Sequence, residues 1–177
     1  MITATCEITG ISNYVFSKPT QDTTPKSDAD SIKVAKNRVY KNEKSKKLFI
    51  PNSQIKATIF AACVLNRIKI EKSMQVAKAL IKSTLKVYPE EIYFKPDLKM
   101  SDIIIMKYPL VLKSGPLIWT HAAYIEPGWK LSFTIAFSEI FGEGLMKELL
   151  ETAGILCGIG GMRGQENGRS EVSKFEV

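Results

Sequence analysis

Five apolar residues at every second position, Trp129, Leu131, Phe133, Ile135 and Phe137, alternate with polar or small ones and read as a half-buried β-strand. The chain opens the same way. Ile2, Ala4, Cys6 and Ile8 point to one side, with Thr3, Thr5, Glu7 and Thr9 between them, and the pattern ends near Gly10. Further strands are expected at Glu91–Phe94, Ile103–Lys107 and Ser170–Val177. Apolar spacing predicts a helix from Asn52 or Ser53, either of which can cap it, to about Arg67. A second runs from Glu71 to Lys86 with Val76, Ala79, Leu80 and Leu85 inward, and a third from Gly142 to Ala153, where Gly154 would stop it. Strands wet on one side and a few amphipathic helices suit an α+β fold of ferredoxin-like (RRM-like) kind: an antiparallel sheet with helices packed on one face.

At 177 residues and 45% hydrophobic side chains the chain is read as one domain, 1–177. Between Ser12 and Asp30 it loses periodicity and collects Ser, Thr, Pro and Asp, which reads as a long flexible loop. The longest apolar run, Ile59–Leu65, is far below the roughly 20 residues of a spanning helix. The opening lacks the basic-then-apolar order of a signal peptide, and Cys6, Cys63 and Cys157 form no CxxC pair. The expectation is a reduced, cytoplasmic protein with no membrane partner, metal or cofactor.

Charge narrows the function. Residues 1–88 carry 16 basic and 6 acidic side chains, and residues 89–177 carry 9 and 12. Lys33, Lys36, Arg38, Lys41, Lys44, Lys46 and Lys47 crowd into fifteen residues with one acid, Glu43. Val39-Tyr40 and Leu48-Phe49-Ile50 flank the Lys41–Lys47 stretch, which suggests a hairpin with a basic tip. Such a field attracts polyanions, although a Lys-rich solvated surface accounts for the run as well. Tyr40 and Phe49 add stacking faces, the companion feature in proteins that bind single strands.

Near the end, Gly158, Gly160, Gly161, Gly164 and Gly168 fall within eleven residues, with Arg163 and Arg169. Glycines let backbone approach a ligand closely, successive N–H groups can cradle phosphate, and guanidinium forks add to the grip. The segment is neither a P-loop nor a dinucleotide fingerprint, because it lacks GK[ST] and precedes a strand. A flexible loop is the plain alternative.

Two segments together resemble the RAMP superfamily, the ferredoxin-like proteins of CRISPR effector complexes. Ile50-Pro51-Asn52-Ser53-Gln54-Ile55-Lys56 is similar to that superfamily's IPGSSLKG helix start, and the passage from Gly158 to Arg169 is similar to its C-terminal GIGG…GR loop. Asn52, Gln54 and Ala57 stand where the family has Gly, Ser and Gly. The chain is shorter than the family's backbone subunits, which suits a minimal or virus-encoded relative. The resemblance implies antiviral defence, binding of single-stranded RNA or DNA with guide RNA favoured, and assembly as a homo-oligomer or ribonucleoprotein subunit. It places Ser53 and Lys56 at a phosphate-binding helix start, and Gly158, Gly160, Gly161, Arg163, Gly168 and Arg169 in the loop. Arg38, Lys41, Lys44, Lys46 and Lys47 join them on charge alone.

Some RAMP proteins cut RNA. His121 is the lone histidine and the candidate acid or base, though a lone histidine is more often structural. Asp22, Asp28 and Asp30 lie in the expected long loop, where related subunits hold a catalytic aspartate. Alternatives to a non-catalytic binder are therefore an endoribonuclease, a viral single-stranded DNA-binding protein, or a structural subunit that contacts only protein.

Overall fold

The computed structural model describes residues 1–21, 25, 27–111 and 117–177. The elements run β1 (Ile2–Gly10), β2 (Tyr14–Val15), α1 (Asp28–Asn37), β3 (Phe49–Pro51), α2 (Asn52–Leu65), α3 (Met74–Thr84), β4 (Lys86–Tyr88) and β5 (Glu91–Lys95). They continue through β6 (Ile104–Val111), β7 (Leu117–Ile125), β8 (Lys130–Phe137), α4 (Gly142–Thr152) and β9 (Ser170–Glu176). The fold is α+β, and its main sheet is antiparallel in the order β3-β5-β8-β1-β9, with β4 beside β5 on the same edge of β8. Taking β4 and β5 as one strand position gives the split βαβ arrangement of a ferredoxin-like domain.

The alternation read in the sequence builds this sheet. Ala4, Cys6 and Ile8 of β1 face Ile135, Phe133 and Leu131 of β8, and all six are buried. The helices cover that side through Ile55, Ile59, Ile81, Met146 and Leu149. On the other side Lys95 Nζ donates to Ser132 Oγ at 2.9 Å, and Ser132 Oγ donates to Glu7 Oε2 at 2.9 Å. Thr3 and Thr5 are exposed on this side, and Glu7, Ser132 and Thr134 are half-buried, so it remains polar.

Several expectations need correction. The stretch from Ser12 to Asp30 is not one loop: Tyr14 and Val15 are buried as β2 and pair with β7. Its far end starts α1, whose first turn is capped by Ser27, the Asp30 N–H donating to Ser27 Oγ at 3.1 Å. Pro51, not Asn52 or Ser53, occupies the position before α2, and no side chain caps that helix. In α3 the inward residues are Ala77 and Ile81, while Ala79 is exposed and Val76 and Leu80 only half-buried. Gly154 does not stop α4. The chain continues as a π-helical turn, Ala153–Cys157, until Gly158 at φ 69°.

A second sheet, β2-β7-β6, was not anticipated. Its strands β6 and β7 grow out of the connection between β5 and β8, and β2 joins them from the segment after β1. Strand β7 escapes notice because Ala122, Ala123 and Ile125 are all buried, so no clean alternation marks it. Helix α1 packs beside β7, and Ser31 Oγ accepts the His121 N–H at 2.9 Å, filling the edge that β2 leaves open.

Candidate nucleic-acid interface

The two segments of the motif pair meet around one buried ring. Tyr14 is fully buried and donates from Oη to Gln54 Oε1 in the first turn of α2 at 2.7 Å. A Cβ on Gly160 would lie 2.8 Å from the same ring. Thr58, one turn further along α2, lies within 3.4 Å of the Gly158 carbonyl. The glycine-rich loop therefore sits directly against the beginning of α2.

The loop is stitched into the body of the protein. Ile159 N–H donates to Gly168 O at 2.9 Å, Gly168 N–H to Asn13 O at 2.7 Å, and Gly161 N–H to Val15 O at 2.8 Å. The Arg169 N–H donates to Ser12 Oγ at 2.8 Å. These N–H groups, expected to cradle phosphate, are spent inside the protein. Gly160 and Gly168, at φ 90° and 73°, instead allow backbone to approach backbone. What the loop presents outward is charged side chains, Arg163 and Glu166 among them. Arg163 is exposed, and Arg169 is half-buried with its Nη1 enclosed and without a partner among the described residues. Both guanidiniums lie near enough to pull the Cys157 thiol downward, against the larger upward push of burial.

At the start of α2, Ser53 is exposed and Lys56 half-exposed. Asn52 is diverted from capping because its Nδ2 donates to Val87 O at 2.7 Å. The uncapped first turn carries the partial positive charge of a helix amino end.

The basic stretch after α1 closes as a tight loop with one β-bridge, Lys41 to Leu48. Asn42 Oδ1 accepts the N–H groups of Lys44 and Ser45 at 3.0 Å each, and Asn42 Nδ2 donates to Glu91 Oε2 at 2.8 Å. Lys41 and Lys46 both reach Glu43, and Lys47 pairs with Asp97. Lys44 has no ion pair among the described residues. Arg38 follows α1 and is exposed, and its carbonyl accepts the Lys18 N–H at 2.9 Å. Ser17, next to Lys18, packs against Gly161, so the strap Val15–Lys18 ties the glycine-rich loop to Arg38.

Beside the basic loop, Tyr40, Phe49 and Tyr93 form a row of half-buried rings, with centroids 5.8 and 6.0 Å apart. Tyr93 joins the candidate row, a residue that the sequence pattern does not single out. It looks like any strand tyrosine until β3 pairs with β5 and puts Phe49 opposite it. Its hydroxyl donates to Glu91, which pulls that carboxyl below its ordinary value and raises the phenol.

Of the catalytic candidates, Asp22 lies outside the described residues. Asp28 and Asp30 serve the first turn of α1, Asp28 pairing with Lys107 at 2.9 Å. His121 stands opposite Lys107 across β6 and β7, and its Nδ1 is buried without a partner among the described residues. Lys107 first, and His121 after it, hold the Asp28 carboxyl low, so these three groups share one neighbourhood. No cluster of three His, Cys, Asp or Glu side chains fit for a metal occurs among the described residues. No helix among them is long and apolar enough to cross a membrane.

No protein-family model matches the sequence, and no curated protein does. Among solved structures, a chain of the "Cryo-EM structure of the Type III-B Cmr-beta bound to cognate target RNA" superposes with a TM-score of 0.62 at 15% identity, over 99% of this chain and 60% of that one. The likeness is one of fold, and this chain spans about 60% of the length of its counterpart.

Proposed function

We propose that this chain is a single-domain, RAMP-like module that binds single-stranded nucleic acid, RNA in preference to DNA, as a subunit of a ribonucleoprotein assembly. The observation that carries the reading is the row Tyr40–Phe49–Tyr93 lying beside the lysines of the Lys41–Lys47 loop. Cationic groups that track a backbone and aromatic faces on which bases stack are the two parts such binders combine. The fold likeness to a chain of an RNA-bound effector complex supports it. Lys41, Lys44, Lys46, Lys47 and Arg38 hold phosphates on one side. Arg163, Ser53 and Lys56 hold them on the other, and the strap Val15–Lys18 spans the gap. Repeated copies along one strand and a place in the cytoplasm belong to the same proposal.

Phe49→Ala and Tyr93→Ala test it. Each stacked base is worth about 1–3 kcal/mol, so each variant is expected to bind a single strand roughly 5- to 150-fold more weakly. Unchanged affinity in both would remove the stacking row from the account.

A second reading rests on His121. Asp28 and Lys107 beside it supply the charged neighbours that general acid–base cleavage of RNA would use. Strands cut by the wild type and left whole by His121→Ala would establish it in place of non-catalytic binding.

A further inference from the structure

A cleft of about 620 Å³ opens between the π-helical turn, the end of β1 and the glycine-rich loop. Its volume is that of a small-molecule site. Its lips are apolar: Ile11, Ile155 and Leu156 are 48%, 50% and 56% exposed. The wider π-helical turn, which follows the buried Leu149 and Leu150 of α4, carries Ile155 and Leu156 into solvent. Such turns are enriched at functional sites.

The wall of the cleft is polar and charged. Arg169 lines the cleft, half-buried, and makes no ion pair among the described residues. Glu166 also lines the cleft and makes no ion pair among the described residues. A ligand matched to this wall offers acceptors to Arg169 and donors to Glu166, and it has flat apolar faces for the lips.

We propose that the cleft is a base pocket that takes one unstacked guanine from the bound strand. Guanine presents O6 and N7 as a pair of acceptors to an arginine fork, and N1–H with the N2 amino group as donors to a carboxylate. Recognition of splayed bases by their edges is the usual route to sequence preference in RNA. The pocket rests on the single-strand reading and adds to it a preference at one position. It divides the two loop arginines: Arg163, exposed, holds phosphate, and Arg169, half-buried, reads a base. Glu166 on the wall favours a base over the flank of a second copy, since protein interfaces are poor in carboxylates.

The test uses wild-type protein and fluorescence anisotropy with oligouridine strands that carry one central guanosine, inosine, 7-deazaguanosine or adenosine. The guanosine strand is expected to bind between about 5-fold and about 150-fold more tightly than the adenosine strand, the span of a bidentate contact. Inosine, which lacks the N2 amino group, and 7-deazaguanosine, which lacks N7, should each lose part of that gain. Glu166→Gln should erase the difference between guanosine and inosine. Equal binding of all four strands overturns the pocket and leaves single-strand binding intact, whereas no binding of any strand overturns both. A third result also overturns the pocket: Ile155→Ser with Leu156→Ser abolishing self-association in sedimentation while guanosine preference stays whole, which would make the lips a contact between copies.

Discussion

Tyr14 and Gln54 are joined by a 2.7 Å hydrogen bond from the phenol to the amide oxygen, 40 residues apart in sequence. That contact locks β2 to the beginning of α2, and the same ring seats Gly160. Burial raises the phenol's pKa, so it remains a donor at neutral pH. Tyr14→Phe keeps the ring and removes the donor. It is expected to lower the unfolding free energy by about 1–2 kcal/mol in urea titration. An unchanged midpoint would mean that the contact contributes nothing to holding the two segments together.

The loop glycines separate into packed and free positions. A Cβ at Gly168, which sits at φ 73°, would fall 1.8 Å from the Ile159 carbonyl oxygen, while one at Gly164 meets nothing within 4 Å. Gly168→Ala should therefore cost more than about 2 kcal/mol, and Gly164→Ala less than about 0.5 kcal/mol. Equal thermal stability of the two variants would contradict the packing described for the loop.

Phosphate contacts carry no base information, so the hairpin lysines should act alike on every strand. Replacing Lys41, Lys44, Lys46 and Lys47 by Ser is expected to weaken binding uniformly and to flatten the salt dependence by about 0.7 in log–log slope for each phosphate that is no longer neutralised. Arg163→Ala with Arg169→Ala should also weaken binding and reduce the slope. Wild-type affinity in that double variant would sink the loop's role, and a sequence-dependent loss in the lysine variant would contradict its role.

Glu91 links stability to pH. The Tyr93 hydroxyl and then Asn42 lower its pKa from an ordinary value of 4.5 in the folded state. A carboxyl depressed on folding contributes stability that is complete above its unfolded pKa and disappears as pH falls through the folded one. Below about pH 4.5, wild type should therefore lose more stability than Glu91→Gln does, and the two curves should run parallel at neutral pH. Parallel curves throughout the acid range would show that the carboxylate's contacts with Tyr93 and Asn42 are not maintained in solution.

Much of the fold is readable along the chain where one face of an element is wet. Strand β1, and β8 as far as Ile135, alternate because every second residue is at least partly open to water, and α4 shows its buried Leu149 and Leu150. The hidden parts are those whose burial comes from tertiary partners. Helix α1 buries only Ser31 and Ala35, too little to leave a period, and its lysines read as a charge run. In α3 the deciding residue is the small Ala77, which pattern reading passes over in favour of Leu80. At the site, the glycines, Arg163 and Arg169 stand out by type and spacing. Tyr93 and Glu166 gain their meaning from pairing and loop geometry, which composition does not carry.

The most direct measurement is fluorescence anisotropy of the purified protein with matched single-stranded RNA, single-stranded DNA and duplex at two salt concentrations, followed by a gel of the strands. Binding that is selective for single strands, tightest for RNA, weakened by salt and harmless to the strands is the expected result. Absence of binding at low salt, or equal affinity for duplex, would contradict it and leave a chain whose likeness to the Cmr-beta chain is one of fold alone.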